Sequence, residues 1–271
     1  MEKPELPDIL VWGYGTMTSA MVAGWLASGI PPSKFTVYNP RPKDVPHGVT
    51  FVSTPPAHQY PYVLLGFKPH MLADIAADMQ EVVGPRTCVM SVLAGIGADP
   101  LAAAFPAAGA VARFMPNLAS AVNKSPNILH ITGGTSSDRD TISDLAERLG
   151  SAEWLEDEAQ FDLATALAGS GPGFVYRFID AIAMAAGELG LPPEQAQRLA
   201  TRMVDGAATL AARSEAPPSV LAQRVASPGG MTQAGLDVLD DDEALRVLLR
   251  RTLRATAQRG GELAVHAKPD G

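Results

Sequence analysis

Cysteine is almost absent from this 271-residue chain: Cys88 stands alone, so no intrachain disulfide can hold the fold. It sits in the apolar run Cys88-Val89-Met90 and reads as a small buried hydrophobe. A chain without disulfides suits a reducing compartment, and a cytoplasmic location is expected. Charge is sparse too. Charged residues make up 18%, the net charge is −8, and no dense Lys/Arg patch occurs, which argues against a nucleic-acid partner. No uncharged apolar run is long enough to span a bilayer, so no membrane partner is expected. The start, Met1-Glu2-Lys3-Pro4-Glu5, is charged and proline-broken and does not read as a signal peptide. The five histidines are scattered, without His/Cys metal-ligand spacing, and there is no Gly-x-Ser-x-Gly elbow. Metal-dependent and serine-hydrolase chemistry therefore have no support. What the chain does have is 46% hydrophobic residues, enough for a large core.

The N-terminal half alternates strand and helix patterns. Asp8 to Trp12 reads as a buried strand running into Gly13-Tyr14-Gly15-Thr16-Met17, then a helix through Met21, Val22, Trp25 and Leu26. Strand, Gly-x-Gly turn and helix form the dinucleotide-binding arrangement, in which Gly13 permits the tight turn and Gly15 lets backbone approach a pyrophosphate. The third glycine of that fingerprint is replaced by Thr18. Phe35 to Tyr38 is a second strand. It ends in Asn39-Pro40-Arg41-Pro42-Lys43, with no acid to hold a ribose diol. Arg41 and Lys43 are suited to a 2′-phosphate, which favours NADPH while leaving NADH possible; the plain alternative is a solvated basic loop. Phe51-Val52, Tyr62 to Phe67, Thr87 to Val92, Ala110 to Met115 and Asn127 to Ile131 are further strand candidates, and Met71 to Val83 has helical spacing. This alternation predicts a mostly parallel, doubly wound sheet with helices on both faces. The strand tails Lys68-Pro69, Ala94-Gly95 and Pro116-Asn117 then converge on one crevice.

Past an acidic stretch at Trp154 to Glu158 the β signal ends. The expected division is a Rossmann-type NAD(P)-binding domain over 1–157 and an all-helical domain over 158–271. Between Phe161 and Leu189 the charged residues are Asp162, Arg177, Asp180 and Glu188, so a helix there needs burial on nearly all sides. A hundred residues cannot cover it alone, and a second subunit is expected. A helix from Pro193 to Arg213 follows. The loop Ser227-Pro228-Gly229-Gly230-Met231-Thr232 then precedes another helix. Its glycines leave amides uncovered, which makes a seat for a carboxylate or phosphate, with the Thr232 hydroxyl beside it. Taken alone, the loop reads first as an ordinary inter-helix turn, and the rest of the chain shifts that reading.

Together with Lys68-Pro69, Ser91-Val92-Leu93-Ala94-Gly95-Ile96, Arg113-Phe114-Met115-Pro116-Asn117, Ala168-Gly169-Ser170-Gly171-Pro172, Gly190-Leu191-Pro192 and Asp205-Gly206-Ala207-Ala208, these motifs resemble the pyrroline-5-carboxylate reductase family over almost the whole chain. The resemblance implies reduction of Δ1-pyrroline-5-carboxylate to L-proline with NAD(P)H, the last step of proline biosynthesis. It implies a Rossmann domain followed by a helical dimerisation domain, with dimers assembling into a decamer. By the same resemblance Gly229, Gly230, Met231 and Thr232 hold the substrate, with Thr232 as the catalytic hydroxyl. Glu215 lies near the ring nitrogen. Gly13, Tyr14, Gly15, Thr16 and Met17 carry the phosphates, and Ser53 the adenosine side. Gly66, Phe67, Lys68, Pro69, Leu93 and Ala94 line the crevice, with Asn117 nearby. Thr18, Leu118-Ala119-Ser120 and Met231 depart from the family pattern. The competing expectations are a reductase of another small cyclic imine or keto carboxylate, or an NADP-binding regulator without catalysis. A β-hydroxyacid version would want a lysine in the helical core, and 162–198 contains none.

Overall fold

The computed structural model describes residues 6–266, with side chains described as far as Glu262. The first part comprises β1 (Ile9–Trp12), α1 (Thr16–Ala27), β2 (Phe35–Tyr38), β3 (Thr50–Val52), β4 (Tyr62–Leu65), α2 (Leu72–Asp78), β5 (Cys88–Ser91), α3 (Ala98–Ala104), β6 (Ala110–Met115), β7 (Ser125–Gly133), α4 (Ser136–Glu147) and β8 (Gly150–Trp154). The strands form one eight-stranded sheet in the order β3-β2-β1-β4-β5-β6-β7-β8. All neighbours are parallel except β6 and β7. A short 3₁₀ turn, Leu118–Val122, joins that pair, and it is too short for the crossover a parallel pair requires.

Every residue of β1, β4 and β5 is buried, because helices cover both faces of the sheet. Alternate side chains enter different cores. Ile9 and Val11 pack with Trp25 of α1 and Leu145 of α4. Leu10 and Trp12 pack with Leu72 of α2 and Leu101 of α3. Trp25 is fully buried and stacks on Phe35 at 5.5 Å between ring centroids. Its indole N–H donates to the Leu145 carbonyl at 2.8 Å, so the ring's one polar atom is satisfied.

Two elements differ from the sequence pattern. The helix expected from Met71 to Val83 stops at Asp78. A turn follows in which the Val82 and Val83 amides both donate to the Met79 carbonyl. Val82 and Val83 are both buried in this turn, so the apolar spacing runs on past the end of the helix and does not mark where it stops. The strand β8 is an addition to the expected set: only Ala152 and Trp154 mark its core-facing side, alternating with Ser151 and Glu153. It sits at the sheet edge beside β7, where little hydrophobicity is needed.

The remaining elements are helical: α5 (Phe161–Ala164), α6 (Gly171–Glu188), α7 (Pro193–Arg213), α8 (Pro218–Val225), α9 (Met231–Asp240) and α10 (Ala244–His266). A π-turn, Thr165–Gly169, connects α5 to α6. By contacts, residues up to Ser170 and from Ala255 onward form one compact unit, and Gly171–Arg254 form a second. Within the second unit α6 and α7 meet through Ala183, Ala196 and Ala200. The sequence asks for α6 to be buried, yet Val175, Tyr176, Phe178, Ile182 and Met184 are exposed in the single chain. Among the described residues no helix is long and apolar enough to cross a membrane.

Candidate functional site

The carboxyl ends of β1 to β6 lie along one edge of the sheet. β1 sits between β2 and β4, where the strand order reverses, and this is the switch point at which such sheets bind ligands. Gly13 leaves β1 at φ +95°, a left-handed conformation that favours glycine. Gly66 leaves β4 directly beside it: a Cβ built on Gly13 would lie 2.9 Å from the Gly66 carbonyl. The two strand exits therefore meet backbone to backbone.

Thr18 completes this knot. It is 1% exposed on the first turn of α1. Its Oγ1 accepts from the Gly15 amide at 3.0 Å and donates to the Gly13 carbonyl at 3.0 Å. Its methyl fills the space over Gly66, where an added Cβ would come within 2.3 Å of Thr18 Cγ2. The Tyr14 amide donates to Asn39 Oδ1 at 3.3 Å, and Asn39 Nδ2 donates to the Arg41 carbonyl at 2.7 Å. The Tyr14 ring belongs to the core, and burial pushes its hydroxyl pKa upward. Tyr14 is thus a structural member of the turn, with both ring and amide engaged. Gly15 and Thr16 are exposed, and no side chain caps the helix, so the first-turn amides after Gly15 face outward without intrahelical partners. A backbone wall too tight for side chains beside open helix-terminal amides fits a dinucleotide pyrophosphate.

The other expected cofactor residues fall on the same edge. Asn39 and the exposed Arg41 follow β2, and the exposed Ser53 follows β3. Gly66, Phe67, Lys68 and Pro69 follow β4, where Phe67 packs against the second core and Lys68 is exposed. After β5, Leu93 is buried and its amide donates to Ser91 Oγ, while Ala94 is exposed. Asn117 follows β6 and is 4% exposed. Its side chain accepts from the Ala119 amide and donates to the Ala168 carbonyl at 2.8 Å each, so it braces the 3₁₀ turn against the π-turn. Leu118, beside it, is 51% exposed.

One half-buried cluster was not singled out from sequence. Arg113 points from β6 with its guanidinium 3.6 Å from the Phe161 ring centroid. It donates to Glu158 at 3.0 Å and to Asp162 at 3.4 Å. Glu158 Oε1 also accepts from the Ala98 amide at 2.7 Å, at the first residue of α3. The carboxylate therefore holds both a strand and the end of the loop that carries Leu93 and Ala94. The signal was present: an arginine inside an apolar strand has to be paired.

The expected substrate residues lie in the second unit. Ser227 to Gly230 forms a turn closed by the Gly230 amide donating to the Ser227 carbonyl at 2.9 Å, with Gly229 at φ +68°. Gly230 is the N-cap of α9 without a side-chain cap, and the amides of Met231 and Thr232 open the helix. Met231 is 95% exposed, and Thr232 and Glu215 are exposed.

Fold and site together define a Rossmann-type, dinucleotide-binding chain with an appended helical unit. Residues 158–263 match the family model for pyrroline-5-carboxylate reductase dimerisation. The chain is 30% identical to a Pseudomonas aeruginosa pyrroline-5-carboxylate reductase over 95% of its own length and 97% of the relative's. It is 32% identical to the Pisum sativum enzyme of that name over 96% and 98%. Its fold is similar to the Coxiella burnetii pyrroline-5-carboxylate reductase, with a TM-score of 0.88 and 27% identity over 95% and 98% of the two chains. A Plasmodium falciparum pyrroline carboxylate reductase, solved with NADP bound, shares the fold at TM-score 0.81 and 22% identity over 96% and 99%. The chain belongs to the pyrroline-5-carboxylate reductase family.

Proposed function

We propose that this chain is an NAD(P)H-dependent reductase that converts Δ1-pyrroline-5-carboxylate to L-proline, the closing step of proline biosynthesis. The observation that carries this is the match to named reductases over nearly the entire length, both the sheet and the helical unit included. NADPH, when bound, supplies the hydride. The chain's own residues bind, orient and move a proton. The open amides after Gly15 and the Gly13–Gly66 wall hold the pyrophosphate, with Arg41 beside the adenosine ribose and favouring NADPH over NADH. Ser53 lies on the adenosine side; Gly66 to Pro69, Leu93, Ala94 and Asn117 line the remaining crevice.

On the substrate side, the amides of Gly230, Met231 and Thr232 take the carboxylate. Protonation of the ring nitrogen makes the imine carbon electrophilic. The Thr232 hydroxyl hydrogen-bonds that nitrogen and relays a proton, with Glu215 nearby. An alcohol is a weak acid near neutral pH, so most of the acceleration comes from holding the two reactants together.

The chain is a homo-oligomer. The dimer forms through the helices of 158–271, which cover the apolar surface of α6, and dimers assemble further into a decamer. A cytoplasmic location accompanies this role. The test is loss of NADPH absorbance with purified protein and Δ1-pyrroline-5-carboxylate, repeated with NADH and with the six-membered piperideine analogue. Oxidation coupled to proline formation is the expected result. No turnover with the five-membered imine would overturn the assignment, and faster turnover of the piperideine acid would reassign the substrate.

A further inference from the structure

We infer that Thr18 is a positioning residue for the cofactor: its hydroxyl locks the phosphate turn into its binding shape before the dinucleotide arrives. The inference rests on the cofactor site proposed above. Position 18 holds the third small residue of the usual glycine fingerprint, where a side chain would be expected to hinder the approach of helix and strand. Here it does the opposite. Oγ1 receives the Gly15 amide and returns a hydrogen bond to the Gly13 carbonyl, closing a ring across both glycines of the turn. The methyl rests on Gly66, so the exits of β1 and β4 are clamped by a single side chain.

Two consequences separate this from simple packing. Gly13 and Gly15 are the residues most free to wander in the unbound chain, and Thr18 removes that freedom. Preorganisation lowers the ordering cost of binding, so its loss weakens affinity without altering the reacting end. The hydroxyl also withdraws the Gly15 amide from the crevice. With the Tyr14 amide held by Asn39, the outward amides that remain are those that follow Gly15 on α1. Thr18 therefore fixes which backbone donors the pyrophosphate meets.

The hydroxyl and the methyl can be tested apart. Thr18→Ser keeps the hydroxyl, Thr18→Val keeps the shape, and Thr18→Ala keeps neither. NADPH affinity is read by fluorescence titration, alongside kcat at saturating NADPH and the melting temperature of each variant. Losing the hydrogen-bonded lock is expected to raise the NADPH Kd about three- to tenfold in Val and Ala. Ser should stay within about twofold of wild type, and kcat should hold within about twofold in all three, since the hydride end is untouched. Wild-type affinity in Val, or Ser as weak as Ala, overturns the inference. Should Val fail to fold, the Ser-to-Ala comparison makes the same separation. If the unmodified protein binds no NADPH, the cofactor assignment falls and takes this inference with it. Equal affinity across wild type and all variants removes Thr18 alone.

Discussion

Replacing Arg113 by methionine keeps most of the apolar stem of the side chain and removes its charged head. The Arg113 side chain is 7% exposed, whereas those of its partners Glu158 and Asp162 are 31% and 39% exposed. Breaking a fully buried ion pair costs about 3–5 kcal/mol, because the abandoned charge stays in a poor solvent. Here water reaches part of each carboxylate and offsets some of that loss, which brings the expectation to about 2–3 kcal/mol. Loss of the cation–π contact with Phe161 is included in that range. At about 2–4 °C per kcal/mol for a unit of this size, the melting temperature should fall roughly 5–10 °C by calorimetry. Glu158→Gln retains an acceptor for the Ala98 amide but loses the charge, for about 1 kcal/mol. The double variant should cost less than the two losses added, by about 1 kcal/mol, since both touch one bond. A melting temperature for Arg113→Met within about 2 °C of wild type would refute the assignment of Arg113 as the tie between β6 and the segment Glu158 to Asp162.

Three further outcomes can be checked directly. Gly66→Ala would place a methyl 2.3 Å from Thr18 Cγ2 and 2.6 Å from the Gly13 carbonyl. Backbone cannot rotate away, so a loss of about 1–3 kcal/mol and more than about tenfold in NADPH affinity is expected by melting and titration, and a silent substitution would contradict the close approach. Burial alone raises the Asp138 carboxyl pKa, but hydrogen bonds from the Thr135 amide and hydroxyl and from Tyr62 outweigh it, and the net shift is downward. Its stabilisation is therefore present above the ordinary aspartate value and lost as pH falls through the depressed folded value. The melting-temperature gap between wild type and Asp138→Asn should close on acidification, and a gap constant with pH would count against it. Thr232→Ala should lower kcat/KM about ten- to a thousandfold, and an unchanged value would remove Thr232 from proton transfer.

Most of the sheet was legible because strands buried on both faces are written as apolar runs: Ile9 to Trp12 and Tyr62 to Leu65 are unbroken, and Ala110 to Met115 is interrupted only by Arg113. The misses have a common origin. β8 offers only two core-facing apolar residues, Ala152 and Trp154, too short a signal to read alone. The end of α2 leaves no mark in the apolar spacing, which runs on through the buried Val82 and Val83 of the following turn. Around the phosphate turn the sequence shows which residues stand there but not how they bond to one another. The Tyr14 ring packs in the core and its amide donates to Asn39, 25 residues away. Thr18 stood there as a departure, and its hydrogen bonds depend on how a helix start meets two strand ends. Glu158 lies 45 residues from Arg113, beyond the reach of any local pattern.

The uncovered side chains of α6 have a consequence for the chain's life outside the active site. In the dimer proposed above, the exposed Val175, Tyr176, Phe178, Ile182 and Met184 are covered by a partner copy, and stability then obeys mass action and rises with protein concentration. On that arrangement a lone copy leaves this apolar surface open, and an open apolar surface of this kind is where a chain aggregates or is captured by chaperones.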